Sequence, residues 1–349
     1  MINSIIPKHF LLTFILLILI GCSEEVDSPA NPSPSDSNVT SNQGVKDTAI
    51  YFFKEYNLMS LNLSDTSGTF LKVSNNNLTR EIYSIAYNES DSTFFGYTHY
   101  YYFNDDGTSY ESYNPASGVR EKVYIDQDPR SNYSDVILNT KHNKLIPIKP
   151  GQTYEVIFQE LNLDSGITYE SAPLALGFPI SDFIYIESID AFIAAEALGK
   201  HQIRIAVVDA NTYALRKVIT SGPAVSPYLP PFRSTMNWTG LKYDKANGLL
   251  YYLRDEGLYE INPVTESFRF IDTDFFPFIL AKYPNIDLSS SSLKTFFYPP
   301  TKEMFFCAVG KFDDYESRMF AVSIITKKTR EIHIGGYDLG RVYGFAIKQ

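Results

Sequence analysis

The sequence contains little cysteine, tryptophan or histidine for its length. Its 349 residues include 2 Cys, 1 Trp and 5 His. This scarcity excludes a disulfide framework, and no His-Glu-x-x-His or Cys-x-x-Cys motif is present. Basic residues are also in the minority, with 30 Lys and Arg against 40 Asp and Glu. Because contacts to phosphates depend on clustered Lys and Arg, and no such cluster exists, we expect no nucleic acid as a partner.

Long hydrophobic runs are missing as well. The apolar run from Phe10 to Ile20 has eleven residues, whereas a helix that crosses a bilayer needs about 20. It follows Lys8 and His9 and ends at Gly21. This organisation is typical of a secretory signal peptide, which we predict over residues 1–21.

The end of that run, Leu19-Ile20-Gly21-Cys22, resembles the lipobox of bacterial lipoproteins. The resemblance implies that Cys22 becomes the mature N-terminus, carries acyl chains such as palmitate, and anchors the protein to a membrane. The acidic residues that follow, within 23–27, resemble a surface-export signal of some Gram-negative lipoproteins; an acidic start to a solvated tether is the alternative. We therefore expect a cell-envelope, outer-membrane location, and the choice between a periplasmic and a surface orientation stays open.

The rest of the chain divides into a tether and one large domain. Residues 22–46 are rich in Ser, Pro, Asn and Asp and show no apolar periodicity, so we predict a lipidated N-terminus followed by a flexible spacer. Residues 47–349 form the predicted folded domain. Its abundant aromatic residues, among 26 Tyr and 25 Phe in the chain, favour β-structure.

Two patterns recur along this domain at a period of about 50 residues. The first is an apolar strand, a polar turn and a second apolar strand. Its copies begin at Ile85, Ile137, Ile184, Leu241 and Phe296, and a shortened copy begins at Phe345. The second is a strand that ends in a polar residue before a turn. These polar residues, which we call anchors, are Asn62, Asn114, Asn162, Asp209, Asn262 and Ser323.

The two patterns together predict an all-β fold, a six-bladed β-propeller. Pattern one supplies the first and second strands of each blade, and pattern two supplies the third and fourth. Because the domain begins with pattern two and ends with pattern one, we expect the ring to be closed by pairing of the C-terminal strand with the N-terminal strands. A β-sandwich is the alternative. The arrangement resembles the six-bladed TolB-like or NHL-like bacterial propellers.

The longest segments between predicted blades are the best places for a binding site. The segment 221–238 contains Tyr228, Phe232, Arg233 and Trp238 among several prolines. With Arg341 from the last such segment, these side chains are candidate ligand-binding residues for a glycan, a peptide or an envelope protein. The alternative is that the aromatic rings only cap the core.

A metal site is a second hypothesis. Asp135 and Asp182 begin predicted first strands, and carboxylates that converge on a propeller axis could hold Ca²⁺. The alternative is that both belong to the turns before those strands. A resemblance to six-bladed lactonase-like enzymes, which hold a metal through Glu, Asn and Asp, would add Glu187 and Asn139. The sequence identifies no cofactor beyond this candidate calcium.

Two functions follow from these observations. The first is a membrane-anchored envelope lipoprotein that binds a glycan, peptide or protein through one propeller face, without catalysis. The second is a metal-assisted hydrolase or lyase with its site in the channel. The sequence contains no Gly-x-Ser-x-Gly motif, and it shows no complete catalytic set.

Overall fold

The structure is a computed structural model. It describes residues 49–54, 57–62, 70–72, 83–100, 107–114, 119–126, 135–151, 154–196, 202–221, 240–254, 257–283, 287–298, 302–311, 317–332 and 342–347. Among these residues, no helix has both the length and the apolar character needed to cross a membrane.

The first sheet joins the two ends of the domain. It contains β1 (Ala49–Lys54), β2 (Asn57–Asn62), β3 (Phe70–Lys72) and the last strand of the chain, β25 (Val342–Ile347). The order is β25-β1-β2-β3. The antiparallel register between β25 and β1 places Ile50 opposite Ile347 and Phe52 opposite Phe345. The predicted pairing of the C-terminal strand with the N-terminal strands is therefore confirmed.

The other sheets are antiparallel and follow the chain in order. The second is β4 (Tyr83–Asn88), β5 (Thr93–Tyr100), β6 (Gly107–Asn114) and β7 (Val119–Asp126). The third is β8 (Asp135–Asn139), β9 (Lys144–Pro150), β10 (Glu155–Asn162), β11 (Thr168–Glu170) and β12 (Leu174–Ala175). The fourth is β13 (Ile180–Ile186), β14 (Ala191–Glu196), β15 (Arg204–Asp209) and β16 (Leu215–Thr220).

The only α-helix of the described residues lies between the remaining two sheets in the sequence. The fifth sheet is β17 (Gly240–Asp244), β18 (Leu249–Arg254), β19 (Gly257–Asn262) and β20 (Ser267–Ile271). Helix α1 (Phe275–Lys282) follows. The sixth sheet is β21 (Asp287–Tyr298), β22 (Glu303–Lys311), β23 (Ser317–Ser323) and β24 (Thr329–Ile332).

Five of these sheets have four strands each, and the third has five because β11 and β12 both pair with β10. The predicted pattern of four strands in every sheet is therefore wrong for the third sheet, whose outer position is divided between two short strands. The first strands of successive sheets contact one another: β25 lies against β4, β4 against β8, β8 against β13, β13 against β17, β17 against β21, and β21 against β25. This radial packing of all-β sheets is a β-propeller.

The core lies between neighbouring sheets rather than at one centre. Strand β14 shows how, because all of its residues are buried. Phe192 and Ala194 belong to the cluster shared with the third sheet, whereas Ile193 and Ala195 belong to the cluster shared with the fifth. Since successive side chains on a strand point to opposite faces, a strand covered on both sides is apolar throughout.

The turns repeat one local design, and the sequence anchors begin it. Asn162 Oδ1 accepts the backbone N–H groups of Asp164 and Ser165 at 3.0 and 2.9 Å. Asp209 and Asn262 make the same pair of bonds in the fourth and fifth sheets. Such side chain-to-backbone bonds fix a turn locally. The anchors therefore have the predicted role at the ends of these third strands.

Each of these turns has a residue with positive φ four positions after the strand end. Gly248, at φ 67°, occupies this position in the turn after β17, and Asn143, at φ 49°, occupies it after β8. The group also includes Ser92, Asp190 and Lys302 after first strands, and Gly166, Tyr213, Glu266 and Lys327 after third strands. All first-to-second and third-to-fourth turns lie at one end of their sheets because the strands alternate in direction. We call this end the turn end and the opposite end the loop end.

Helix α1 was not expected from the sequence, which offered little helical periodicity. Its Phe275 and Ile279 are fully buried and pack with Met304 and Phe320 of the sixth sheet. Helix α1 therefore completes the core between the fifth and sixth sheets.

Candidate binding site at the loop end and ion-pair network at the turn end

Most of the predicted site residues lie outside the described residues. These are the lipidation site Cys22 and the candidate ligand-binding residues Tyr228, Phe232, Arg233, Trp238 and Arg341. Their proposed roles remain predictions.

The two metal candidates lie on neighbouring first strands. Asp135 is the first residue of β8, where it pairs with Ile148. Asp182 lies in β13, and its Oδ2 accepts the backbone N–H of Leu241 at 2.8 Å, with Lys242 Nζ at 3.7 Å. Asp182 therefore links the fourth sheet to the fifth. No group of three or more His, Cys, Asp or Glu side chains suited to a metal occurs among the described residues. These contacts do not test the calcium hypothesis, which stays a prediction.

A partly buried ion pair lies at the loop end of the fourth sheet. Glu196, the last residue of β14, is 3% exposed. Arg204 Nε donates to its Oε2 at 2.8 Å, and Arg204 Nη2 donates to its Oε1. The guanidinium carbon of Arg204 also lies 4.8 Å from the centre of the Phe178 ring. The hydrogen bond to Glu196 raises the pKa of Arg204 above its ordinary value, so the guanidinium stays charged.

The two residues that flank the predicted aromatic segment are each hydrogen-bonded, or adjacent to a residue hydrogen-bonded, within the fourth sheet. Ser221, which precedes it, exchanges two hydrogen bonds with Ile203: its N–H donates to the Ile203 carbonyl at 2.9 Å, and its Oγ accepts the Ile203 N–H at 2.8 Å. On the other side, Gly240 begins β17 immediately before Leu241, whose N–H is held by Asp182. We call Asp182, Glu196, Arg204, Lys242 and Phe178 the loop-end cluster.

A second polar network, centred on Asp190, lies at the turn end. Its carboxylate accepts hydrogen bonds from Lys141 Nζ at 2.8 Å, Tyr185 Oη at 2.9 Å and Asn211 Nδ2 at 3.1 Å. His142 Nε2 lies 3.3 Å from the same Oδ2. Lys141 and His142 belong to the turn after β8, so Asp190 joins the third sheet to the fourth.

These partners fix the charge of Asp190. Burial alone would raise its pKa, but the hydrogen bonds from Lys141, Tyr185, His142 and Asn211 outweigh burial and hold the pKa well below 3.8. Burial, followed by the hydrogen bond to Asp190, raises the pKa of Tyr185 above its ordinary value of 10.0. A carboxylate held ionised and a phenol held neutral suit a structural junction better than proton transfer.

The two residues suggested by the lactonase resemblance also lie at the turn end. Glu187 follows β13 in a short 3₁₀ turn, Glu187–Ile189, and its side chain is 51% exposed near Lys245 Nζ at 3.9 Å. Asn139 ends β8 fully buried, and its Oδ1 accepts the N–H of His142 at 3.2 Å. Glu187 therefore lies just outside the first strand of its sheet, whereas Asn139 ends a first strand and holds the turn that follows.

The Asp190 junction was missed by sequence reasoning. Its turn follows Ile186, so no anchor marks it. Its partners come from positions 49 and 48 residues away for Lys141 and His142. Only the positive φ of 48° has a local signal, because Asp tolerates this region better than most residues.

Comparisons with known proteins agree with the architecture. No protein-family model and no curated protein matches the sequence. TolB from Acinetobacter baumannii is similar with a TM-score of 0.55 and 10% identity, over 86% of this chain and 68% of that one. The periplasmic gluconolactonase PpgL from Pseudomonas aeruginosa is similar with a TM-score of 0.52 and 10% identity, over 85% and 98% respectively. At this identity the likeness shows the fold alone, a β-propeller.

Proposed function

We propose that the chain is a membrane-anchored envelope lipoprotein and that its propeller, a closed ring of six blades, binds a glycan, a peptide or a protein at the loop end. The observation that carries the binding proposal is the position of Ser221 and Gly240, the residues that flank the segment 222–239. Ser221 is hydrogen-bonded to Ile203, next to the Arg204 guanidinium that lies over the Phe178 ring. Gly240 precedes Leu241, whose N–H is held by Asp182.

The chemistry of this cluster favours recognition. Glu196 and Arg204 engage each other in two hydrogen bonds, and Asp182 holds a backbone N–H. Such groups form a rigid polar surface. They do not form an activated nucleophile, which would need a base within hydrogen-bonding reach. Aromatic side chains of the predicted segment would add apolar faces to that surface.

The single tryptophan gives a direct test of binding. Trp238 is the only Trp in the chain, so its fluorescence reports on the predicted segment without labelling. We expect a saturable change when the protein is titrated with a panel of soluble oligosaccharides and short peptides. Phe232→Ala and Arg233→Ala should abolish this change, whereas Tyr169→Ala, an exposed aromatic of β11, should leave it intact. A response that is equal in all variants would refute the loop-end site.

The anchor is tested separately. Cys22→Ser should release the protein from the membrane fraction, because without acyl chains the stable attachment is lost. Cys307→Ser is the matched control, and it should stay with the membranes. Retention of the Cys22→Ser protein would contradict lipid anchoring.

A hydrolase or lyase is the second candidate, since a periplasmic gluconolactonase has a similar fold. Metal analysis of the purified protein separates the two. Stoichiometric Ca²⁺ that is lost in Asp135→Asn or Asp182→Asn, but retained in Asp164→Asn at the turn end, would favour the enzyme.

A further inference from the structure

Two neighbouring sheets expose apolar side chains at equivalent positions of the turn end. Val264 follows the anchor Asn262 by two residues, and Ile325 follows the anchor Ser323 by two residues. Each side chain is 68% exposed. Both lie at the tips of third-to-fourth turns, where polar residues are the ordinary choice.

Lysine residues surround these tips. The N–H of Ile324 donates to the Lys302 carbonyl at 3.0 Å, and the N–H of Ser323 donates to the Lys328 carbonyl at 3.0 Å. These bonds hold Lys302, Lys327 and Lys328 in the two adjoining turns of the sixth sheet. Lys245 lies in the first turn of the fifth sheet.

Three acidic groups nearby are engaged by lysines, two of which, Lys245 near Glu187 and Lys328, belong to these turns. Asp274 pairs with Lys328 at 3.2 Å, and Glu266 pairs with Lys217. Exposed Glu89 and Asp91, by contrast, lie in the first turn of the second sheet. The fifth and sixth sheets therefore present exposed lysines beside the apolar tips at the turn end, although the whole chain has a net charge of −10.

The chain also enters the propeller at the turn end. Ala49 begins β1, which is the second strand of its sheet and therefore starts where the first-to-second turns lie. The Tyr51 ring lies 6.5 Å from that of Tyr87 and 5.1 Å from that of Phe94, and these two residues flank the first turn of the second sheet. A membrane anchor upstream of Ala49 is thus connected to this end of the domain.

We infer that the turn end of the fifth and sixth sheets docks on an anionic lipid surface, with Val264 and Ile325 inserted at the interface and the lysines facing lipid phosphates. This inference rests on the proposed lipid anchor, which would hold the surface within reach. Apolar side chains flanked by Lys are the combination that interfacial binding requires. The docked orientation directs the loop-end cluster away from the membrane.

The test uses the full mature chain with Cys22→Ser, so that no acyl chain contributes. We expect this protein to float with vesicles of equal parts phosphatidylcholine and phosphatidylglycerol, and not with phosphatidylcholine alone. Combined Val264→Glu and Ile325→Glu should reduce binding by about tenfold or more, given the transfer energy of two apolar side chains. Tyr154→Glu, at an exposed tyrosine of the loop end, should bind like the parent.

Folding is checked by thermal unfolding of every variant, and Lys327→Glu provides a second variant that leaves the apolar tips intact. This variant should reduce the fraction of protein that floats with the vesicles. It should also make flotation less dependent on salt concentration. Equal flotation of all variants, or no flotation with anionic vesicles, would overturn the inference. A loss of self-association instead of vesicle binding in Val264→Glu would show a second copy as the occupant and would also overturn it. Membrane release of Cys22→Ser in cells tests the anchor and is independent of these outcomes.

Discussion

Lys141 Nζ lies 2.8 Å from Oδ2 of Asp190, and the two residues belong to turns of different sheets. Thr140 Oγ1 donates to Glu187 Oε2 at 3.4 Å across the same boundary. Ser188 Oγ and Tyr243 Oη lie 3.1 Å apart across the next one. Polar contacts at the turn end therefore connect the third, fourth and fifth sheets in series.

Replacing Asp190 should destabilise the domain. Asp190→Ala removes the acceptor of Lys141, Tyr185 and Asn211 together, and we expect a loss of about 2–3 kcal/mol in the free energy of unfolding. Urea unfolding measures it. Glu187→Ala is the control three residues away, and it should cost less than about 0.5 kcal/mol because its ion pair is exposed and long. Equal losses in both variants would contradict a central role for Asp190.

Asp209 should make stability depend on pH in acid. Burial alone would raise its pKa, but hydrogen bonds from Arg216 and from the backbone of Thr212 and Asn211 outweigh burial and lower the pKa to about 2 from 3.8. The unfolded state therefore binds more protons between these values. The stabilisation is present above about pH 4 and is lost as the pH falls through 2.

Asp209→Asn tests this dependence, because the amide oxygen can still cap the turn. The difference in unfolding free energy between parent and variant should shrink as the pH falls from 6 toward 2. Arg216→Gln removes the partner, and the coupling between the two substitutions should vanish over the same range. A difference that stays constant with pH would show that the charge of Asp209 contributes nothing.

Gly248 should be replaceable by asparagine more readily than by alanine. A Cβ at this position meets nothing within 4 Å, so the cost of substitution is the strain of φ +67° alone. Gly248→Ala should lose about 1 kcal/mol. Gly248→Asn should lose less, since Asn143 occupies the equivalent position at φ 49°. Thermal unfolding of both variants measures the difference. If steric clash set the cost, Gly248→Asn would lower the melting temperature more than Gly248→Ala.

Removal of the last strand should open the first sheet. Deleting residues 342–349 takes β25 away from β1 and exposes an edge on which another chain can pair. We expect a lower melting temperature and association detectable by size-exclusion chromatography. Deleting only 348–349 is the control and should have neither effect. A truncated protein that melts like the parent as a monomer would argue against closure through β25.

The sequence predicts this fold well where the signal is local. Anchors such as Asn162 and Asn262 fix their own turns through bonds to residues two and three positions on, so each copy could be located without tertiary information. Helix α1 could not be located in this way. Its sequence Phe-Phe-Pro-Phe-Ile-Leu-Ala-Lys is apolar on all sides and has no helical period.

The candidate sites are harder to predict because they join distant residues. Asp182 was proposed as a metal ligand, but its observed partner is a backbone N–H 59 residues away. Arg204 follows Glu196 by eight positions, and the two residues lie at the start of one strand and the end of another. Nothing in either local sequence distinguishes a carboxylate that bridges two strands from one that faces solvent.

The pairing of β1 with β25 also has a consequence for how the protein is made. The inner neighbour of β1 is β25, so the first sheet stays incomplete until residues 342–347 have been synthesised. A nascent chain therefore leaves the β1 edge without its native partner for as long as residues 342–347 are missing, and during that time the edge can pair with other chains.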